Sequence, residues 1–249
     1  MMHFFQVTLY QPIFNLFVAL YDVVPDVGVI IFVVTIAIKL ALHPLTIKSI
    51  KAQKEMQELQ PKLEALKKEH KGDQQRIAKE TMALYAEHKI NPLGSCLPML
   101  IQLPVFIALY YVLQGLFGDF QADLLYSFVS NPGSISPISL GIFDLSQRSI
   151  VLAVLAGGAQ YFQARMMQAK RPPVEAGDAG KDESIASMMN KQMLYFMPLM
   201  TLFIGMSFPG GLALYWFLST FFMLLQQMWI FRHDKPKDGK GVVEGTLVE

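Results

Sequence analysis

Five stretches of the chain, roughly 27–45, 96–117, 149–167, 192–208 and 209–231, are apolar over about the 20 helical residues needed to cross a ~30 Å hydrocarbon layer. An ordinary soluble domain of this length has no use for so many. Of the 249 residues, 53% are apolar and only 16% charged, and the mean hydropathy is +0.35, oilier than globular chains run. The expected fold class is therefore all-α: a polytopic membrane protein with five transmembrane helices, an N-terminal interfacial helix and a cytoplasmic helical hairpin.

The net charge of +1 hides an asymmetry between the connections. Residues 46–95 carry Lys48, Lys51, Lys54, Lys62, Lys67, Lys68, Lys71, Arg76, Lys79 and Lys89, whereas 118–148 carry only Arg148 against Asp119, Asp123 and Asp144. Basic residues return in 168–191 and in the tail 232–249. Lysine and arginine collect on the cytoplasmic side, so the pattern predicts an N-terminus outside, an extracytoplasmic connection at 118–148, a cytoplasmic linker at 168–191 and a cytoplasmic tail. Residues 1–26 contain no Lys or Arg, which argues against a secretory signal and an organellar transit peptide, and favours a bacterial plasma membrane. Gln6, Gln11, Pro12 and Asn15 interrupt this segment while Ile13, Phe14, Phe17 and Leu20 share one side, the pattern of an amphipathic helix in the outer interface rather than a sixth span.

Residues 46–95 read as a hairpin of helices. Ile47, Ile50, Met56, Leu59, Leu63 and Leu66 form a narrow apolar stripe. Pro61 should kink or restart the first helix. Lys71-Gly72-Asp73 supplies a left-handed C-cap and the next N-cap, and Met82, Leu84 and Tyr85 mark the return helix. A solvated structural pair and a membrane- or ribosome-contacting element both fit this composition. Residues 171–184, RPPVEAGDAGKDES, read as a flexible linker.

Enzymatic chemistry finds little to work with. GDAGKD at 177–182 resembles half a phosphate loop, but the full motif needs Gly at 175 and Ser or Thr at 182, where Glu175 and Asp182 stand, so no nucleotide is expected. The five histidines lack metal-ligand spacing, Cys96 is the sole cysteine, and the five runs contain no carboxylate for a proton relay. No cofactor, metal or catalytic residue is expected. What stands out is Lys39 in VVTIAIKLALHP, residues 33–44. A lysine at the centre of a membrane helix costs ~2.5–3.5 kcal/mol on insertion scales. It either snorkels to the inner interface or faces water. The polar residues Gln102, Gln114, Gln160, Gln163, Ser219, Thr220, Gln226 and Gln227 within the other runs fit a wet cavity, although each alone is explained by bonding between helices.

KLALHPLTIKS, LQPKLEAL, ETMALYAEHKINPLGSCLPMLIQLPVFIALYYVLQGLF and FPGGLALYWFLSTFFMLLQQ, in that order from Gln11 to Arg232, resemble the YidC family of membrane-protein insertases and its mitochondrial and chloroplast relatives. The resemblance implies a five-helix core around a hydrophilic groove open to the cytoplasm and lipid but closed outside, without the large extracytoplasmic domain of Gram-negative members. It places the family's groove cation, usually arginine, at Lys39, and other groove positions at Gln163, Tyr215 and Trp216. Thr220 stands where many relatives have asparagine. Lysine keeps the charge of arginine but loses its planar fork.

The implied partners are nascent membrane-protein clients and the bilayer, with the ribosome and the Sec translocon as further candidates and no nucleotide. Met56, Leu59, Pro61, Leu63, Met82 and Tyr85 of the hairpin, with Met188, Met189 and Met193, would offer clients an adaptable apolar surface. The short tail is less basic than ribosome-docking tails. A small-solute transporter with Lys39 as anion site, or a scaffold that holds client helices without translocating them, are the competing readings; the chain shows no repeats or matched broken helices that a transporter would favour.

Overall fold

In the computed structural model the structure describes residues 2–70, 72–118, 120–167 and 192–233. The linker 168–191, with Met188 and Met189, and residues 234–249 of the tail lie outside them.

The chain is a mostly helical membrane protein. Helix α1 (His3–Val23, with a π-turn at Gln6–Tyr10) is followed by α2 (Val27–Ala41), α3 (His43–Glu58), α4 (Gln60–Glu69), α5 (Gln74–Glu87) and α6 (Pro92–Phe117). A two-residue antiparallel ladder, β1 (Ile138–Ser139) and β2 (Phe143–Asp144), precedes α7 (Ile150–Met167), α8 (Met197–Ser207) and α9 (Gly210–His233). Helix α7 packs along both α8 and α9, α9 against α2, α3 along α6, and α1 against α2 and α6.

Among the described residues, His3–Val23, Leu100–Phe117 and Gly210–His233 are long and apolar enough to cross a membrane; Val27–Ala41 with His43–Glu58, bent by 69°, makes a fourth if the pair counts as one span. Leu194–Ser207 is a shorter apolar helix. Three to four spans are thus supported by length and composition where the sequence reading expected five, and one of them, His3–Val23, is the segment that reading placed in the outer interface.

Local chemistry explains the breaks. Pro44 lacks an N–H and its ring crowds the carbonyl four residues earlier, so α2 stops at Ala41 and the chain turns at Leu42. Pro61 likewise sits in the first turn of a new helix, after Leu59. Gly72 takes the left-handed conformation at φ 93°, and the Asp73 carboxylate accepts from the Arg76 amide at 2.9 Å as N-cap of α5.

The expected extracytoplasmic connection is pinned to the bundle by polar groups of α1 and α2. Asn15, 3% exposed, donates to the Leu124 carbonyl at 2.8 Å and accepts from the Tyr126 amide at 2.6 Å. Gln11 donates to the same carbonyl, and Tyr10 to Gln121 at 3.1 Å. Gln11 and Asn15 are two of the four groups that interrupt the apolar pattern of residues 1–26; they satisfy a folded loop, while Phe14, Phe17 and Val18 of the same helix are buried in the core. Asp26 caps α2 by accepting from the Gly28 and Val29 amides at 2.9 and 3.1 Å, and holds the β-hairpin through the Ser139 hydroxyl and the Leu140 amide, both at 2.6 Å. A Cβ at Gly28 would collide with Ser139, so glycine permits this approach. The ladder itself is a departure from the all-α expectation, two residues per strand, formed where this loop reverses at Gly141 (φ 73°).

Helices α7 and α8 meet over small residues. A Cβ at Gly157 would lie 3.1 Å from the Pro198 carbonyl oxygen and 3.3 Å from Leu202 Cβ, and one at Gly205 would lie 3.1 Å from Ala153 Cβ. Close approach of backbones maximises dispersion contact where lipid offers no hydrophobic drive between helices. Gly157→Val is therefore expected to destabilise the bundle by about 1–3 kcal/mol, read as a lowered melting temperature in detergent. Gly158→Ala, with no atom within 4 Å of the added carbon, should leave it unchanged.

Candidate functional site: a polar pocket around Lys39

Lys39 occupies the last turn of α2, where the helix is about to be broken by Pro44. Its side chain is half-buried and, with Leu42, Leu45, Thr46, Ile101, Gln102 and Met223, lines a cavity at the junction of α2, α3, α6 and α9. The free volume is about 20 Å³, room for about one water molecule. Among the described residues the ammonium has no ion pair or protein hydrogen bond. Gln102 and Thr46 are the other polar residues of the lining, and the Thr46 hydroxyl is already given to the Leu42 carbonyl at 2.9 Å.

Gln102 donates from Nε2 to the Tyr215 hydroxyl. Ser219 stands one turn along α9, beside the same hydroxyl. Tyr215 is 2% and Ser219 5% exposed, so a polar string of Gln102, Tyr215 and Ser219 runs through the packed interior from the lysine cavity. Further along α9, Gln226 Nε2 donates to His43 Nδ1 at 3.1 Å, and Gln227 Nε2 donates to Gln53 Oε1 at 3.3 Å. The carbonyl oxygens of both glutamines are buried with no protein donor. A buried acceptor left without a donor costs roughly 1–3 kcal/mol, and this pair extends the polar layer from the cavity towards α3.

The expected groove residues thus divide. Lys39 and Gln102 share the cavity lining, and Gln102 links it to Tyr215; Tyr215 and Ser219 are buried on α9 behind it and do not line it. Thr220 is buried on α9 but does not line the cavity. Gln160 and Gln163 are half-buried on α7 and likewise stand outside the lining. Trp216 packs edge-on against Phe106 with ring centroids 5.1 Å apart, in a cluster continued by Phe208 and Tyr110. Adjacent residues on a helix point about 100° apart, so Tyr215 meets Gln102 while Trp216 turns to Phe106. Leu42, Leu45, Thr46, Ile101 and Met223 of the lining are not among the expected groove residues: Leu42, Leu45 and Thr46 reach the cavity through the 69° turn of the chain after Ala41, which helical spacing along α2 does not foretell.

In the hairpin, Leu59 and Leu63 are 5% exposed, Met56 and Tyr85 are half-buried, and Pro61 and Met82 are exposed. Helix α5 has no buried residue, and its end near Lys71 is tied by polar contacts: His70 to Glu80 at 2.7 Å and Arg76 to Glu80 at 3.0 Å.

Residues 19–237 match the family model described as 60Kd inner membrane protein. The chain belongs to that family. It is a multi-pass inner-membrane protein accordingly. It is 36% identical over 209 residues to the membrane protein insertase YidC of Fusobacterium nucleatum, covering 84% of this chain and 88% of that one. To the YidC insertase of Geobacter sp. (strain M21) it is 34% identical over 85% of its own length, but it covers 34% of that protein. The chain thus spans about a third of the length of the first curated relatives and most of the shorter one. A crystal structure of an active YidC insertase with its first transmembrane domain resolved superimposes with a TM-score of 0.59 at 26% identity, covering 90% of this chain and 46% of that one. The matched residues take in the lysine pocket and helices α2–α9, with only the end of α1.

Proposed function

We propose that the chain is a membrane-protein insertase: it moves the polar flank of a client past the hydrocarbon layer and releases the client's apolar helix sideways into lipid, without nucleotide hydrolysis. The observation that carries this is the unpaired Lys39 beside the Gln102–Tyr215–Ser219 string, inside a bundle whose family relatives are named insertases. Five helices cross the membrane in this reading, with α1 in the outer interface, the N-terminus outside and the C-terminus inside.

Depth supports the role. Lys39 lies twelve residues beyond Val27, about 18 Å along the axis at ~1.5 Å per residue. Taking Asp26 as the outer boundary, as this topology does, the ammonium is more than halfway through a ~30 Å core. A polar recess there shortens the dry path for ionised flanks, each of which costs several kcal/mol in hydrocarbon. The client's own span, at roughly −0.3 to −0.6 kcal/mol for each Leu, Ile, Phe or Val, drives the transfer. The hairpin α4–α5, whose return helix buries nothing, receives the client at the inner mouth.

Purified protein in liposomes should make a single-spanning client protease-protected with no added nucleotide. A client that binds but stays protease-sensitive would assign the chain to a holding role instead and overturn the proposal.

A further inference from the structure

A second cavity, of about 300 Å³, lies at the other end of α2 from Lys39. Phe32 of α2, Leu140 and Phe143 of the hairpin, Leu152 of α7, and Leu214 and Leu218 of α9 line it. Its volume is at the lower end of the range of small-ligand pockets. Ser139 is the single polar side chain in the lining, and its hydroxyl is already given to Asp26 at 2.6 Å. The cavity therefore offers an occupant hydrocarbon contact and no hydrogen bond.

Its surroundings say which hydrocarbon. The hairpin rim is apolar and bare: Leu140 is 70% and Ile142 75% exposed. Beyond the rim, Ile150, Val151 and Val154 expose an apolar face on the first turns of α7. In a multi-pass membrane protein such a continuous face looks onto acyl chains. The cavity opens between α2, α7 and α9, and left unfilled its walls would forfeit dispersion contacts on one side. The hairpin is no loose loop that would collapse inward, because two hydrogen bonds to Asp26 hold it open over the helix start.

We propose that this cavity is a binding site for a phospholipid acyl chain from the leaflet on the hairpin side, with Leu140 and Ile142 dipping into that leaflet as its rim. The site is separate from the lysine pocket and does not depend on the insertase reading.

The test is lipid retention. Protein extracted in mild detergent and washed free of bulk lipid is expected to keep about one phospholipid per chain, read by native mass spectrometry. Leu218→Trp fills the cavity from α9, and Ile142→Asp charges the exposed rim without entering the cavity lining; each should lower the retained fraction several-fold. Phe203→Trp, on the exposed face of α8, should not change it. Absence of retained lipid in the unaltered protein, equal loss in Phe203→Trp, or full retention in both cavity variants would overturn the proposal. So would displacement of the lipid by a synthetic apolar client span, which would assign the cavity to peptide. Client insertion in liposomes is a separate readout, so failure here leaves the insertase proposal standing.

Discussion

Lys39→Glu is expected to slow insertion of clients with acidic flanks about tenfold relative to clients with neutral flanks, whereas Lys39→Arg should preserve both rates. Two unit charges 4 Å apart interact by about 1 kcal/mol in water and about 4 kcal/mol at the effective dielectric of a protein surface. The Lys39 cavity has room for about one water, so the screening there is not that of bulk water, and ~1.4 kcal/mol is already a factor of ten. Reversing the sign converts attraction of an acidic flank into repulsion and leaves a neutral flank nearly untouched. Arginine keeps the charge and adds a planar fork. Lys39→Met, which keeps the stem in its half-buried position, should fall between. Equal slowing of both client classes by Lys39→Glu would reduce the lysine to a structural role.

Asp26→Ala is expected to lower the stability of the folded bundle by about 2–4 kcal/mol, combining a lost helix N-cap with lost hydrogen bonds to a charged acceptor. Four donors converge on that carboxylate, two from its own helix and two from a hairpin 113 and 114 residues away. The measurement is thermal unfolding in detergent, paired with protease cleavage at 134–142, which should rise as the hairpin is released. Asp26→Asn keeps an acceptor and should lose less. The pH dependence has a definite sign. Partial burial pushes the carboxyl up, but hydrogen bonds from Leu140, Ser139, Val29 and Gly28 outweigh it and hold the group below its ordinary 3.8. The contribution is therefore whole at neutral pH and is lost as the pH falls below 3.8 through the depressed value. An unchanged melting temperature in Asp26→Ala would mean the latch does not hold the loop.

What the sequence made legible was local. Pro61, Gly72 and Asp73 act within one turn of themselves, so the restart of the hairpin helix and its reversal follow from residue chemistry alone. The membrane class followed from run lengths. Partnerships across long separations were not legible: Asn15 and Gln11 look like interruptions of an apolar helix until the Leu124 carbonyl, 109 and 113 residues away, is placed beside them. The same holds for Asp26 and Ser139.

The candidate site shows the same division. Lys39 stood out because a lone charge in an apolar run is costly wherever it lies. Its neighbours depended on helix rotation: the motif places Tyr215 and Trp216 side by side in sequence, yet the first meets Gln102 and the second meets Phe106. Gln160 and Gln163 match the polar character of a groove but sit on α7, which does not reach the cavity. The resemblance identifies which residue types matter, and packing decides which of them share a pocket.

The central claim is that the ammonium at position 39 is reached by water from the inner side while the outer side is shut. In a Cys96→Ser background, Lys39→Cys in sealed vesicles of known orientation should react with a membrane-impermeant maleimide added to the cytoplasmic face and stay unmodified when the reagent is added outside. Protection from both faces, or labelling from outside, would contradict the account.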